Sequence, residues 1–269
     1  MNNIYRILAS CLIVLLLGAG CSRDTQAPPA IALLAPFEGR YQEFGYDALY
    51  AARLALADQD ADIDLIAFDD GGTLENATNR ARAIVRDEQI HVAIVTGPFA
   101  TQEAVQMALA PLPVIVIGGW NTSPSRDDVY ILSHSAISAL LTDNASSSVE
   151  ELAEIGIPIV GDERLASSLI AKLASGTIEM VSSAQLPSDE FVERYIASAE
   201  FAPQPGLLAT LAYDASGIAI HAIQQDQPIA ELAYTGLNGP IHFENGYWSQ
   251  APVYHYSYSD GRLVHKTDS

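Results

Sequence analysis

The chain has 269 residues, 49% of them hydrophobic, with 33 Asp and Glu against 13 Lys and Arg and a formal net charge of −20. That size supports one large domain or two small ones around a true core. The charge excludes a nucleic-acid binder, which needs clustered cations to displace phosphate counterions, and it fits a solvated acidic surface outside the cell. In chain order, Arg6, an apolar run over residues 7–17 and the small residues Gly18, Ala19 and Gly20 lead straight into Cys21. That is a secretory signal over residues 1–20, too short for a comfortable membrane span. Residues 21–29 read as a polar tether. The only cysteines, Cys11 and Cys21, precede the folded part, which leaves the domain no disulfide, CxxC pair or thiolate metal site.

Residues 31–34 (IALL) are a continuous apolar run, the length of a strand buried on both faces. A polar, aromatic loop punctuated by Gly39 and Gly45 follows. Leu49, Ala52, Leu54, Ala55 and Leu56 then recur at helical steps. Residues 65–68 form a second buried strand, stopped by Asp69-Asp70-Gly71-Gly72. A β-loop-α-β unit of this kind builds parallel sheets whose functional loops lie at the strand C-terminal ends. A helix is predicted over residues 74–86, with Ala77, Ala81, Ile84 and Val85 on one face. A third strand covers 92–95 and ends at Thr96-Gly97-Pro98. Thr101 is placed to cap a helix running to about residue 110, with Glu103 in its first turn. Pro113 opens a fourth strand over 114–117, closed by Gly118-Gly119, and a fifth covers 129–132. The alternation argues for a doubly wound parallel sheet.

From 133 to 156 the pattern loosens. A short strand at 157–160, a helix near 165–173 and a strand at 177–181 follow, then helices at 189–200 and 207–224. Glu244-Asn245-Gly246 between two aromatic runs signals a hairpin, and residues 253–258 alternate before a turn at Asp260-Gly261.

Asp58, Asp60, Asp62, Asp64 and Asp69 have the spacing of a calcium loop, but Ile63 stands where the turn needs glycine, so a solvated helix-to-strand connection is expected. His255 and His265 on a hairpin read as chance. Asp69-Asp70 could be paired carboxylates for acid–base work; beside two glycines at a strand end they are expected to shape the turn. Asp214 is expected to be a structural hydrogen-bonding residue. No P-loop, G-x-S-x-G, H-E-x-x-H or dinucleotide fingerprint is present, and neither a cofactor nor an enzymatic activity is expected.

The leader with Cys21 resembles the bacterial lipoprotein lipobox, with Gly18 where an aliphatic residue is more usual. It implies a lipidated Cys21 and an anchor in the membrane. Strand plus PFEGRYQEFG, AARLAL, the strand ending in DDGG, VTGPFAT and PVIVIGGWNTSP follow in order. Phe191, Arg194 and Tyr195 then fall in an F-x-x-R-Y helix, with Ala212-Tyr213-Asp214-Ala215 and GPIHFENG beyond. Together these segments resemble the type I periplasmic binding proteins of the branched-chain amino-acid (Leu/Ile/Val) class. The resemblance implies two α/β lobes with flavodoxin-like strand order, closing on a small ligand such as an amino acid, and an ABC transporter permease as partner. By position it carries over Phe44, Phe99, Thr101, Trp120 and Thr122 as ligand-binding residues. Thr hydroxyls and a helix N-terminus would receive the ligand's carboxylate, with aromatic faces for its ammonium. Family members are longer, and the shortfall lies between residues 133 and 187. The expected division is a first lobe over 30–135, a reduced second lobe or connection over 136–187, and a return to the first lobe with C-terminal hairpins over 188–269. The alternative is a one-lobe relative acting as an envelope scaffold or regulatory subunit without a ligand.

Overall fold

The computed structural model describes residues 27–141, 159–173 and 178–266. The signal peptide, Cys21 and most of the tether lie outside the described residues, as does the loop expected at 143–148. The first apolar run becomes β1 (Ala30–Ala35), buried along its whole length. After it come α1 (Gln42–Asp58), β2 (Asp64–Asp69), α2 (Leu74–Ile84), β3 (Ile90–Val95), α3 (Glu103–Ala108), β4 (Val114–Ile117) and β5 (Val129–Leu132). These strands pair in parallel in the order β2-β1-β3-β4-β5. That is the expected flavodoxin-like order. Ile31, Leu33, Leu34, Ile94, Ile115 and Ile131 are almost fully buried within it, each stabilising by about 1.5–3 kcal/mol relative to exposure.

Beyond β5 lie α4 (Ile137–Leu140), β6 (Ile159–Gly161), α5 (Ser168–Leu173), β7 (Ile178–Ser182), α6 (Asp189–Ala197) and α7 (Leu208–Gln225). The helix expected near 165–173 is split into a 3-10 turn over Glu163–Ala166 and α5. Helix α7 packs against α1, β3 and β4, while α2 packs on β1, β2 and α3. Gly217 lets Tyr234 lie flush on α7, because a Cβ there would stand 2.1 Å from the tyrosine oxygen.

The last strands are β8 (Tyr234–Gly236), β9 (Gly239–Ile241), β10 (Phe243–Glu244), β11 (Tyr247–Trp248), β12 (Tyr254–Ser259) and β13 (Arg262–His265). Both predicted hairpins form. Asn245 and Gly246 have φ of 53° and 76°, and Asp260 and Gly261 have 50° and 71°, the left-handed pairs that two-residue hairpins need. The two hairpins part company. β11 extends the first sheet beside β5, whereas β12 and β13 join β7 and β6 in a separate four-stranded sheet. The chain therefore passes between two sheets three times, after β5, after β7 and after β11, and builds two α/β lobes.

One local expectation fails. α3 begins at Glu103 with Gln102 as its cap residue. The Thr101 hydroxyl instead donates to the Gly97 carbonyl at 2.8 Å, because the chain turns back at Gly97 (φ 97°) before the helix starts.

Candidate functional site

The C-terminal ends of β1, β2, β3 and β4 gather their loops on one face of the first lobe. Asp69 holds two of them together, accepting from Phe37 N at 2.7 Å and Gly71 N at 2.9 Å. Asp70 accepts from Gly72 N at 2.8 Å. Its other oxygen is buried without a partner, and burial raises its pKa. A Cβ on Gly97 would stand 2.7 Å from Pro36, so the loops after β1 and β3 touch. Both acids thus serve the turn, as their neighbouring glycines suggest. Among the described residues no group of three or more His, Cys, Asp or Glu could hold a metal ion. Asp58, from the aspartate series, instead accepts from Tyr213 OH at 2.8 Å and pairs with Arg194.

Of the five carried-over residues, Phe44 packs on Trp120 and Thr122 bonds to Thr101, and Phe44, Thr101 and Trp120 face inward. Phe44 and Trp120 are each 2% exposed and pack edge to face with ring centroids 5.3 Å apart. The Trp120 indole donates to the Ile117 carbonyl at 2.6 Å. Thr101 is fully buried, and its carbonyl accepts from Gln106 Nε2 at 2.8 Å and from the Thr122 hydroxyl at 3.1 Å. Gln106 Oε1 also accepts from Ser125 N at 2.9 Å, so this buried amide ties the loops after β3 and β4 into one piece. Contrary to expectation, Phe44, Thr101 and Trp120 do not present side chains at the surface of this face. Their polar atoms go to main-chain carbonyls and their rings go to the core. Phe99 and Thr122 remain half-buried there.

The second lobe supplies a residue that was not expected, Glu163. It follows Asp162 just after β6, and despite its charge it is fully buried. Ser182 at the end of β7 donates its hydroxyl to Oε1 at 2.8 Å, and the first lobe's Gly119 N–H donates to Oε2 at 3.2 Å. Asp162 caps the 3-10 turn, accepting from Arg164 N at 3.1 Å and Arg164 Nε at 2.8 Å. Burial, with the Asp162 charge alongside, pushes the Glu163 carboxyl above its usual range. Ser133 Oγ is buried beside Gly119 without a partner. The space left beside Gly119, Thr122, Ser133 and Tyr247 is about 20 Å³. A much larger bowl, about 1030 Å³, lies at the opposite end of the first sheet, lined by Pro29, Asp62, His91, Pro113 and Asp226. The sequence held one pointer to Glu163: an acid pair ending a short strand, as Asp69-Asp70 ends β2.

Two α/β lobes joined by three passages of chain, with strand ends turned toward each other, define the type I periplasmic-binding-protein fold. Residues 28–153 match the family model described as periplasmic binding protein, and the described chain carries the fold of such proteins. Among solved structures, an extracellular ligand-binding receptor from Desulfohalobium retbaense matches at 14% identity and TM-score 0.69, covering 88% of this chain and 59% of that one. The chain thus spans less than two thirds of that receptor. The branched-chain amino acid transporter substrate-binding protein LivJ from Streptococcus pneumoniae, in complex with isoleucine, matches at 14% identity and TM-score 0.65, covering 89% and 100%. An ABC transporter solute-binding protein from R. palustris in complex with benzoate matches at 15% and 0.65, covering 88% and 95%. No curated protein matches. These relatives are named as binding proteins rather than enzymes, and the family is an extracytoplasmic one.

Proposed function

We propose that this chain is an extracytoplasmic solute-binding protein of an ABC importer, held to the membrane by a lipid on Cys21. It takes a small carboxylate-bearing solute, such as an amino acid, between its lobes and presents it to the permease. The observation that carries this reading is the Gly119 N–H. It sits at a strand end on the inner face of the first lobe and faces an acidic group from across the cleft. Isoleucine and benzoate, held by the two relatives above, are both carboxylates. On this reading Phe99 and Thr122 flank the solute, while Phe44, Thr101 and Trp120 support the loops from behind. Calorimetry and thermal melting with amino acids and aromatic acids test it. A solute at a hundred times its Kd adds about 2.7 kcal/mol of stability; a full panel without a shift overturns the reading. Cys21→Ser is expected to release the chain from membranes.

The Glu163 carboxylate already seated on the Gly119 N–H favours a second reading, an envelope scaffold or regulatory subunit without a ligand. Its mark would be that silent panel, combined with co-purification of an envelope protein that Thr122→Ala leaves intact.

A further inference from the structure

Resting on the solute-binding reading above, we propose that Glu163 is a built-in occupant of the cleft. From the second lobe its carboxylate takes the first-lobe backbone N–H that a solute's carboxylate would take, and solute enters by displacing it.

The local structure is shaped to deliver this side chain. Leu165 folds over Gly161, where a Cβ would stand 2.4 Å from a leucine methyl, and the Tyr258 hydroxyl holds the Leu165 carbonyl at 2.6 Å. With Asp162 as cap, the 3-10 turn then points Glu163 away from its own lobe's solvent side. Two glycines receive it. A Cβ on Gly118 would lie 3.3 Å from the Glu163 carboxyl carbon, and one on Gly119 would lie 3.7 Å from Oε2. Gly118 also has φ 83°, a conformation side chains resist. A buried carboxylate without compensation is costly, and here its oxygens are satisfied from both lobes at once.

A second carboxylate reaches the other way. Glu43, at the start of α1, accepts from the Ser168 N–H at the start of α5, at 3.0 and 3.1 Å to its two oxygens. Each lobe therefore offers an acid to a backbone N–H of its neighbour. The Glu43 contact is exposed to solvent, whereas the Glu163 contact lies in the cleft itself. Displacing Glu163 leaves Gly119 N–H and the unpartnered Ser133 hydroxyl free to meet a small acid.

A protein whose competent state is a minor one binds more weakly by that fraction. Isoleucine and benzoate binding to the full chain, measured by calorimetry, is therefore expected to tighten about tenfold or more in Glu163→Ala. Glu163→Gln keeps an acceptor oxygen for Gly119 and should gain less. Amide exchange at Gly119 gives a readout independent of any solute and should speed up in Glu163→Ala. Circular dichroism and a cooperative melt check that the variant is folded, and Ser182→Ala provides a milder version of the same test. If wild type binds either acid and Glu163→Ala binds it no more tightly, the proposal is overturned while the solute-binding reading stands. Unchanged exchange at Gly119 overturns it as well. If neither chain binds, yet Gly119 exchange is faster in Glu163→Ala, the carboxylate's hold on the cleft is upheld and the solute-binding reading falls.

Discussion

At the end of β2 the chain places Asp69 and Asp70; at the end of β6 it places Asp162 and Glu163. In each pair the leading aspartate stays close to its own loops, Asp69 accepting from Phe37 and Gly71 and Asp162 from Arg164. The second members diverge. Asp70 accepts from Gly72, two residues on, while Glu163, one methylene longer, accepts from a residue 44 positions away in the other lobe. Similar chemistry at similar strand ends gives a self-contained turn in one lobe and a bridge in the other. Side-chain length and the glycines opposite decide which.

The comparison can be broken by stability measurements. Asp69→Ala leaves two N–H groups without their acceptor, and is expected to cost about 2–3 kcal/mol in urea unfolding. Next in size is a pH effect. Glu163 has a folded pKa raised above its ordinary 4.5, so the folded state binds the extra proton. Its contribution is present at pH below that value and is lost as pH rises through the folded pKa. Glu163→Gln, which imitates the protonated form, should flatten this fall and gain about 1–2 kcal/mol near pH 8. The flanking charges are Asp162 and Arg164. Asp47 and Asp214, raised by burial to about 7 and about 6, carry the same sign and keep a residual slope in the variant. Glu163→Ala should cost less than Asp69→Ala, about 1 kcal/mol, since removing a buried carboxylate also removes its desolvation penalty. The smallest effect is expected from Ser182→Ala, about 0.5–1 kcal/mol, through loss of its bond to Glu163 and of the bond it accepts from Ala184 N. Should Glu163→Ala prove the costliest of the set, the bridge would be a folding element and the contrast between the pairs would collapse.

Strands β1 and β4 were legible because they are buried on both faces and read as unbroken apolar runs; β2, expected from its apolar run to be buried as well, is instead the edge strand of its sheet and stays partly exposed. The hairpins were legible because Asn-Gly and Asp-Gly pairs tolerate positive φ. Asp214 was read correctly as structural, and it accepts from Leu237 N, Asn238 N and Asn238 Nδ2 within 2.9 Å. Thr101 was misplaced because residue type alone marks it as a cap, and only the turn at Gly97 moves the cap to Gln102. Phe44 and Trp120 were expected to face a ligand, but no local pattern reveals that both rings point into the core. Glu163 was marked only by the acid pair after its strand, which does not reveal burial. A charged residue after a short strand reads as solvated, and its burial comes from Gly119 and Ser182, each distant in sequence.

The placement of β12 and β13 carries a consequence for how the molecule is made. The first five strands arrive within residues 30–132 and can organise while synthesis continues, as domains emerging early generally do. In the second sheet β6 and β7 wait for β12 and β13, which are encoded only after the chain has returned to the first sheet as β11. A nascent chain halted before Tyr254 would show amide protection in the first sheet and none on the edge of β7 that pairs with β12, so the second lobe's sheet is completed last.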